Sequence, residues 1–259
     1  LLEQGYRYAS VSNADNLGAA PDPTLAAWFA QSGAPYAAEV CRRTAADRKG
    51  GHLAVRKSDG RLILRDTAQT PPDQMDFFTD EHRHPFVHTN NLWFDLERLA
   101  DALRRGGSVL GLPLIRNTKT VDPTDPTSPA VVQIETAMGA AIEVFEGAQA
   151  IVVGRDRFLP VKTTDDLLVL RSDVFARAFD GTLRVAGPTT PLVHLDPRHY
   201  RTIADFEARF PFGPPSLRQA TSLTVRGDWT FGADVVVVGD VELRDTGAAE
   251  QIPAASRLG

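Results

Sequence analysis

The sequence has only one cysteine in 259 residues, Cys41, so no intrachain disulfide can form and a reducing, cytoplasmic setting is expected. No apolar run approaches the roughly 20 residues needed to cross a bilayer, and no secretory leader pattern is visible, so no membrane partner is expected. Positive charge is never concentrated. The formal net charge is -5 and there is no sustained Lys/Arg run, which excludes the basic footprint of a nucleic-acid binder. A nucleotide remains an acceptable ligand, because it needs only a local cationic site. The common phosphate-cradling motifs, G-x-G-x-x-G and the P-loop, are both missing. The chain starts at Leu1 rather than Met and enters a strand almost at once, which reads as a fragment or a trimmed chain.

What is present is ordinary in bulk: 42% hydrophobic and 24% charged residues, enough for one large domain or a domain with an appendage. Residues 6–12 read as a strand, Pro23 to Gln31 as a helix with Pro near its start, and Pro35 to Cys41 as a second strand. Residues 52–56 and 61–68 suggest a hairpin around Ser58-Asp59-Gly60. Pro85 to Trp93 suggest a strand, Leu92 to Arg105 an amphipathic helix, and the Pro- and Asp-rich run 122–129 a loop. The Ala-rich run from Gln133 to Phe145 fits a buried helix, and 150–153 a short strand. This alternation argues for an α/β domain. The character changes near Pro188, dividing the chain into 1–188 and 189–259. Beyond it lie an amphipathic helix carrying Ile203, Phe206 and Phe210, then Asp228, Asp234 and Asp240 at six-residue spacing. That hexapeptide period predicts a β-helix with Val225, Phe231 and Val237 pointing inward; a plain antiparallel meander is the alternative.

Four segments place polar residues at the ends of apolar stretches. In the first, Ser12-Asn13-Ala14-Asp15-Asn16 ends a strand, where open α/β sheets bind ligands. A carboxylate between two amides suits a divalent cation beside phosphate oxygens, although the cluster also suits an Asx-type turn. The second joins Glu39 to Lys49-Gly50-Gly51: a strand-end carboxylate could accept sugar hydroxyls, and paired glycines allow close backbone approach. The third is His88-Thr89-Asn90-Asn91, whose amides could serve sugar hydroxyls or cap the helix that follows. The fourth runs from Arg155 to Leu168. Its Lys162 stands before a helix that Thr164 or Asp165 would cap, so a phosphate could meet both a point charge and a helix N-terminus.

Taken together and in this order, the segments resemble the UTP–glucose-1-phosphate uridylyltransferases of eukaryotic type. The matching stretches are SNADNLGA at 12–19, EV at 39–40 with DRKGG at 47–51, HTNNLWF at 88–94, QIETAMGAAIEVFEGA at 133–148, RFLPVKTTDDLLVLRSD at 157–173 and LTVRGDWTFGADV at 223–235. The resemblance implies an α/β fold: a Rossmann-like (GT-A-like) nucleotidyltransferase domain, N-terminally incomplete, followed by a left-handed parallel β-helix. It also implies Mg2+-dependent formation of UDP-glucose and pyrophosphate from UTP and glucose 1-phosphate. Carried onto matching positions, Asp15 looks like the metal-binding aspartate and Lys162 the phosphate-binding lysine, these two being the catalytic candidates. Asn13, with Ala14 beside it, would contact the nucleotide and its sugar, and Glu39, Gly51, Asn90 and Asn91 would line the glucosyl site. Position 88 departs from the family, which often carries Asn there. The family's Gly-rich loop is absent, so residues 1–259 alone are not expected to make UDP-glucose. The strand ending at Asn13 is expected to need parallel neighbours on both sides. A UDP-N-acetylhexosamine pyrophosphorylase-like enzyme and a non-catalytic sugar-nucleotide-binding or assembly subunit are the competing readings. Homo-oligomerisation through the β-helix stays open.

Overall fold

The computed structural model describes residues 1–48, 50–125, 127–188 and 190–259, which form two compact units. The first comprises Leu1–Ala14 and Ala19–Phe158, the second Asp15–Gly18 and Leu159–Gly259. The packing break at Phe158/Leu159 thus falls ahead of the composition change near Pro188.

The first unit is built on a four-stranded sheet of β1 (Tyr8–Val11), β2 (Tyr36–Arg42), β5 (Phe86–Asp95) and β8 (Gln149–Val152), in the order β1-β5-β2-β8. Strands β1 and β2 run antiparallel to β5, and β8 runs parallel to β2. The run Tyr36–Cys41 is buried throughout, as expected of a central strand covered on both faces. One face packs Tyr36, Ala38, Leu92 and Phe94 with Ala141, Ile142 and Phe145; the other packs Ala37 and Trp93 against Phe29 of α1 (Pro23–Ser32). Helix α1 starts where Asp22 accepts hydrogen bonds from the Thr24 and Leu25 amides at 2.8 and 3.1 Å, with Pro23 in the first turn. The hairpin of β3 (His52–Val55) and β4 (Leu62–Arg65) and the short α2 (Met75–Thr79) complete this part.

Three sequence expectations are corrected here. Strand β1 pairs with β5 antiparallel, not parallel. Strand β5 runs on to Asp95, so the helix predicted from Leu92 is α3, Leu96–Arg105. Its cap is Asp95, which accepts from the Glu97 and Arg98 amides, leaving Asn91 for other work. The helix expected over 133–145 is a strand followed by a 3₁₀ turn. Residues Ala130–Thr136 (β7) pair antiparallel with β6 (Leu114–Thr120), and only Met138–Glu143 coil. Val131, Val132 and Ile134 are β-branched and favour the extended form over the helix that the alanines suggest.

In the second unit, residues 15–18 lie alongside 159–161: the Leu17 amide donates to the Leu159 carbonyl and the Val161 amide to that of Asp15. Helix α4 (Thr164–Arg171) and the short pair β9 (Phe175–Arg177) and β10 (Leu183–Val185) follow. Next come β11 (Leu192–Leu195), α5 (Pro197–Tyr200) and α6 (Ile203–Arg209). Strands β11, β12 (Ser216–Val225), β14 (Val236–Leu243) and β16 (Arg257–Leu258) form one sheet in that order, all parallel. Strands β13 (Trp229–Phe231) and β15 (Glu250–Ile252) form a second parallel pair. Val225, Phe231 and Val237 are fully buried, in a core shared with Tyr200, Phe206, Leu217 and Leu223. Gly227 turns the chain between β12 and β13 at a φ of +84°, and a Cβ there would stand 2.7 Å from Asp245 Oδ1. Only glycine satisfies both demands.

Candidate functional site

The candidate residues fall into one group in each unit. In the first unit the group is organised by a bulge. Val40 of β2 pairs with His88 of β5, and Ala38 pairs with Leu92, so Thr89, Asn90 and Asn91 all face the single residue Glu39. Asn90 takes a left-handed φ of +62° to accommodate this. Two of the bulge amides are met by side chains. The Asn90 N–H donates to His88 Nδ1 at 3.2 Å, and the Asn91 N–H to Thr89 Oγ1 at 3.2 Å. The Thr89 hydroxyl in turn donates to the Glu39 carbonyl at 2.8 Å.

Two amide side chains leave this bulge in different directions. Asn90 Nδ2 donates to Asn13 Oδ1 at 3.0 Å, so two of the candidate residues form one hydrogen-bonded pair. Asn91 Nδ2 donates to Glu39 Oε2 at 3.0 Å and to the Arg157 carbonyl at 3.2 Å. Glu39 also accepts from Trp93 Nε1 at 2.9 Å and, bidentately, from Arg157 at 2.7 and 2.9 Å. Its side chain is only 1% exposed. The carboxylate that the sequence offers to sugar hydroxyls is therefore already engaged, and in this geometry it anchors Asn91, Trp93 and Arg157.

Gly51 reaches the same place from the β3 side, its carbonyl accepting from the His88 amide at 2.8 Å. Arg43 holds the neighbouring Gly50 carbonyl at 2.6 Å. Lys49 lies outside the described residues. Ala14 is exposed beside Asn13. Arg155 clasps Asp47 at 2.7 Å, as Arg157 does Glu39, so two ion pairs tie the 155–157 turn to β2 and the turn after it.

Burial pushes the His88 imidazole down to about 4. Burial, followed by the charges of His84, Arg43 and Arg65, pushes His52 down to about 3. The unfolded chain therefore takes up these protons first, near pH 6.5. Their contribution to stability is complete above that pH and is lost as the pH falls toward the folded values. Each can contribute on the order of 3 kcal/mol. Denaturant unfolding at pH 7 and near pH 4.5 should show the loss. His52→Phe, which keeps the stacking on Phe78 and His84, should make it distinctly smaller. An unaltered pH slope in that variant would remove His52 from the account.

In the second unit the ladder between 15–18 and 159–161 brings Asp15 and Lys162 onto adjoining stretches of chain. Asn16 acts structurally: its Oδ1 accepts from the Gly18 amide at 3.1 Å and the Leu159 amide at 2.8 Å. Asp15 Oδ1, by contrast, is buried and meets no hydrogen-bond donor among the described residues. A buried carboxylate oxygen without a donor costs stability unless a ligand completes it, and a hard oxygen donor suits Mg2+. No group of three or more His, Cys, Asp or Glu stands together among the described residues, and phosphate oxygens and water can complete a Mg2+ shell around one carboxylate. The residues present fit the ion on those terms.

Lys162 is exposed, and its ammonium makes no ion pair among the described residues. The cap of α4 is Thr163, not Thr164 or Asp165, and it forms a box with Asp166. Asp166 Oδ2 accepts from the Lys162 and Thr163 amides, both at 2.9 Å. With Asp165 also in the first turn, this helix end is already neutralised, which corrects its expected part in phosphate binding.

A profile of the UTP–glucose-1-phosphate uridylyltransferase family matches residues 1–238. The chain belongs to that family. It is 39% identical to the UTP–glucose-1-phosphate uridylyltransferase of Hordeum vulgare over 249 residues, covering 94% of this chain and 50% of the relative. The corresponding Saccharomyces cerevisiae enzyme is 38% identical, covering 93% of this chain and 47% of the relative. The chain thus spans about half the length of the curated relatives it matches. Among solved structures, the UDP-glucose phosphorylase of Trypanosoma brucei superposes with a TM-score of 0.92 at 44% identity, over 99% of this chain and 56% of that one. A variant of UDP-glucose pyrophosphorylase from Leishmania major, solved in complex with UDP-Glc, gives 0.87 at 44% identity, over 99% of this chain and 56% of that one. The mixed α/β architecture is that of these uridylyltransferase-family structures.

Sequence reasoning did not assign roles to His88, Trp93 or Arg157. Arg157 lies inside the RFLPVKTTDD stretch and Trp93 inside HTNNLWF, so both were in view. Nothing local marks either as a partner of Glu39.

Proposed function

We propose that the protein is a uridylyltransferase that forms UDP-glucose and pyrophosphate from UTP and glucose 1-phosphate. The observation that carries this reading is the family match over residues 1–238, inside which every candidate residue falls. The Leishmania major relative's complex with UDP-Glc supports the ligand class.

A phosphate oxygen of glucose 1-phosphate attacks the α-phosphorus of UTP, a new P–O bond forms, and the bond to the β-phosphate bridge breaks to release pyrophosphate. The attacking oxygen is already ionised at neutral pH, so no general base is needed. Positioning and charge neutralisation do the work. The Asn13–Asn90 pair presents amide groups to the sugar nucleotide, with Asn91 and the Gly51 backbone beside the glucosyl unit. Glu39 serves that site by holding Asn91 and Arg157. Lys162 neutralises charge on the reacting phosphates. Asp15 would hold Mg2+, which would supply Lewis-acid neutralisation of phosphate charge.

Residues 189–259 are read as a linker helix followed by a left-handed parallel β-helix. Two observations support it: the all-parallel β11-β12-β14-β16 sheet, and the parallel β13–β15 pair that alternates with it along the chain. Residues 1–188 would then carry nucleotidyl transfer and 189–259 the appendage, through which copies of the protein could associate. No helix among the described residues is long and apolar enough to cross a membrane, and a cytoplasmic location accords with the lone buried Cys41.

The test is a coupled pyrophosphate-release assay on the full-length protein with UTP, glucose 1-phosphate and Mg2+. Turnover that requires all three supports the reading; none with glucose 1-phosphate, or equal turnover without it, sinks it. In the same assay Lys162→Ala should lower kcat by roughly 10²- to 10³-fold, the scale for losing one preorganised charge contact. Lys162→Arg should recover only part of it, because a planar guanidinium is not a point charge. An unchanged kcat in Lys162→Ala would make the lysine a surface residue.

A further inference from the structure

Two of the candidate ligand residues bond to His88, a residue with no assigned part in the chemistry, and a third bonds to one of these two. Its backbone N–H donates to the Gly51 carbonyl at 2.8 Å. Its ring accepts the Asn90 N–H at 3.2 Å, and Asn90 in turn donates to Asn13 at 3.0 Å. We propose that His88 is a positioning residue: its neutral imidazole, as the Nε2–H tautomer, holds the Asn90 bulge from which the Asn13–Asn90 amide pair meets the sugar nucleotide.

The tautomer follows from the bond. A backbone N–H can be received only by an unprotonated ring nitrogen, so the proton of the neutral ring sits on Nε2. Nε2 itself is buried and has no partner among the described residues. That burial is what keeps the ring uncharged, and a charged ring would turn Nδ1–H against Asn90 N–H. The latch is needed because Asn90 occupies a left-handed conformation that L-residues other than Gly adopt at a cost. Side-chain capture of its amide offsets that cost, in the way Asx and ST turns hold their own backbone. The floor of the bulge is closed by Gly139. A Cβ there would lie 2.8 Å from His88 Cε1 and 3.2 Å from Asn90 Oδ1, so the imidazole and the Asn90 amide are wedged on one surface. His88 therefore acts on the ligand through Asn90 and touches no reacting atom.

This inference rests on the proposed sugar-nucleotide site, and its test separates the two. The full-length protein is assayed for pyrophosphorolysis of UDP-glucose as the parent, His88→Phe, His88→Asn and Asn90→Ala, with circular dichroism and Tm confirming each fold. Phe keeps the ring shape and removes the acceptor. It should raise KM for UDP-glucose about tenfold while kcat stays within about threefold, the size of one lost hydrogen bond. Asn, whose Oδ1 can accept from the amide two residues on, should restore KM to within about threefold of the parent. A folded His88→Phe protein with parental KM, where Asn90→Ala does raise KM, overturns the inference and leaves the site standing. Parental KM in Asn90→Ala overturns both. Long-range 1H–15N spectra of the imidazole give a reading independent of activity. At neutral pH His88 should show a protonated Nε2 and an unprotonated Nδ1, and the opposite tautomer, or a charged ring, overturns the proposal.

Discussion

Asp15→Ala in the full-length protein should lower Mg2+-dependent turnover by about 10³-fold or more, while leaving the Tm unchanged or slightly raised. The first half reflects the role proposed for the carboxylate. If the carboxylate that would hold the ion is removed, several kcal/mol of transition-state charge stabilisation should be lost, and each 1.36 kcal/mol is tenfold in rate. The second half follows from geometry. Asp15 Oδ1 is buried with no hydrogen-bond donor among the described residues, so in the ligand-free protein it contributes a desolvation cost and no compensating bond. Removing it relieves that cost. Residues kept for function at the expense of stability behave this way. Asp15→Asn preserves shape and serves as the comparator; it should be nearly as inactive. Near-normal turnover in Asp15→Ala would dismiss the metal role, and a large fall in Tm with modest loss of activity would make Asp15 a structural residue.

Glu39→Ala should have the opposite signature, a loss of stability of about 3–5 kcal/mol, the scale for removing one partner of a buried ion pair. Arg157, whose side chain is 13% exposed, loses its bidentate carboxylate and keeps the Ala20 carbonyl, to which it donates at 2.9 Å. Asn91 Nδ2 and Trp93 Nε1 each lose an acceptor as well. Glu39→Gln retains the shape and one carbonyl oxygen and should cost less. Denaturant midpoints for Glu39→Ala, Arg157→Ala and the double variant close a cycle. A coupling of about 2 kcal/mol or more is expected, since these groups share one network. Additive effects would show that the two residues stabilise the fold separately.

The contrast between these two carboxylates shows how much of the site was legible in sequence. Both Asp15 and Glu39 stand out there as acidic residues at strand ends beside small or polar neighbours. Only the fold separates them: Asp15 Oδ1 meets no donor among the described residues, and Glu39 is saturated by Arg157, Asn91 and Trp93. The partners of Glu39 lie 52, 54 and 118 residues away, beyond any local pattern. The bulge at 89–91 was hidden for the same reason. HTNNLWF reads as a strand turning into a helix, because nothing in seven residues reveals that Ala38 and Val40 pair four residues apart on β5. The Ala-rich run after Gln133 misled in the other direction. Helix propensity is a weak prior, and pairing of β7 with β6 overrode it.

What the sequence by itself determined is the set of local and periodic features. These are the helix start at Pro23, the strand from Pro35 to Cys41, the inward series Val225, Phe231 and Val237, and the ordered motifs that place the chain in its family. Each depends on residues close in sequence, or on a spacing that side-chain geometry imposes directly. What only the tertiary structure decided is which polar groups are satisfied and which remain for a ligand. It joined Glu39 to Asn91, Trp93 and Arg157, set His88 Nδ1 against the Asn90 amide, and left Asp15 Oδ1 without a donor among the described residues. Hydrogen-bond satisfaction depends on donors and acceptors brought together across long stretches of chain. That pairing exists only once the backbone has closed, and the few groups it leaves over are where the chemistry can occur.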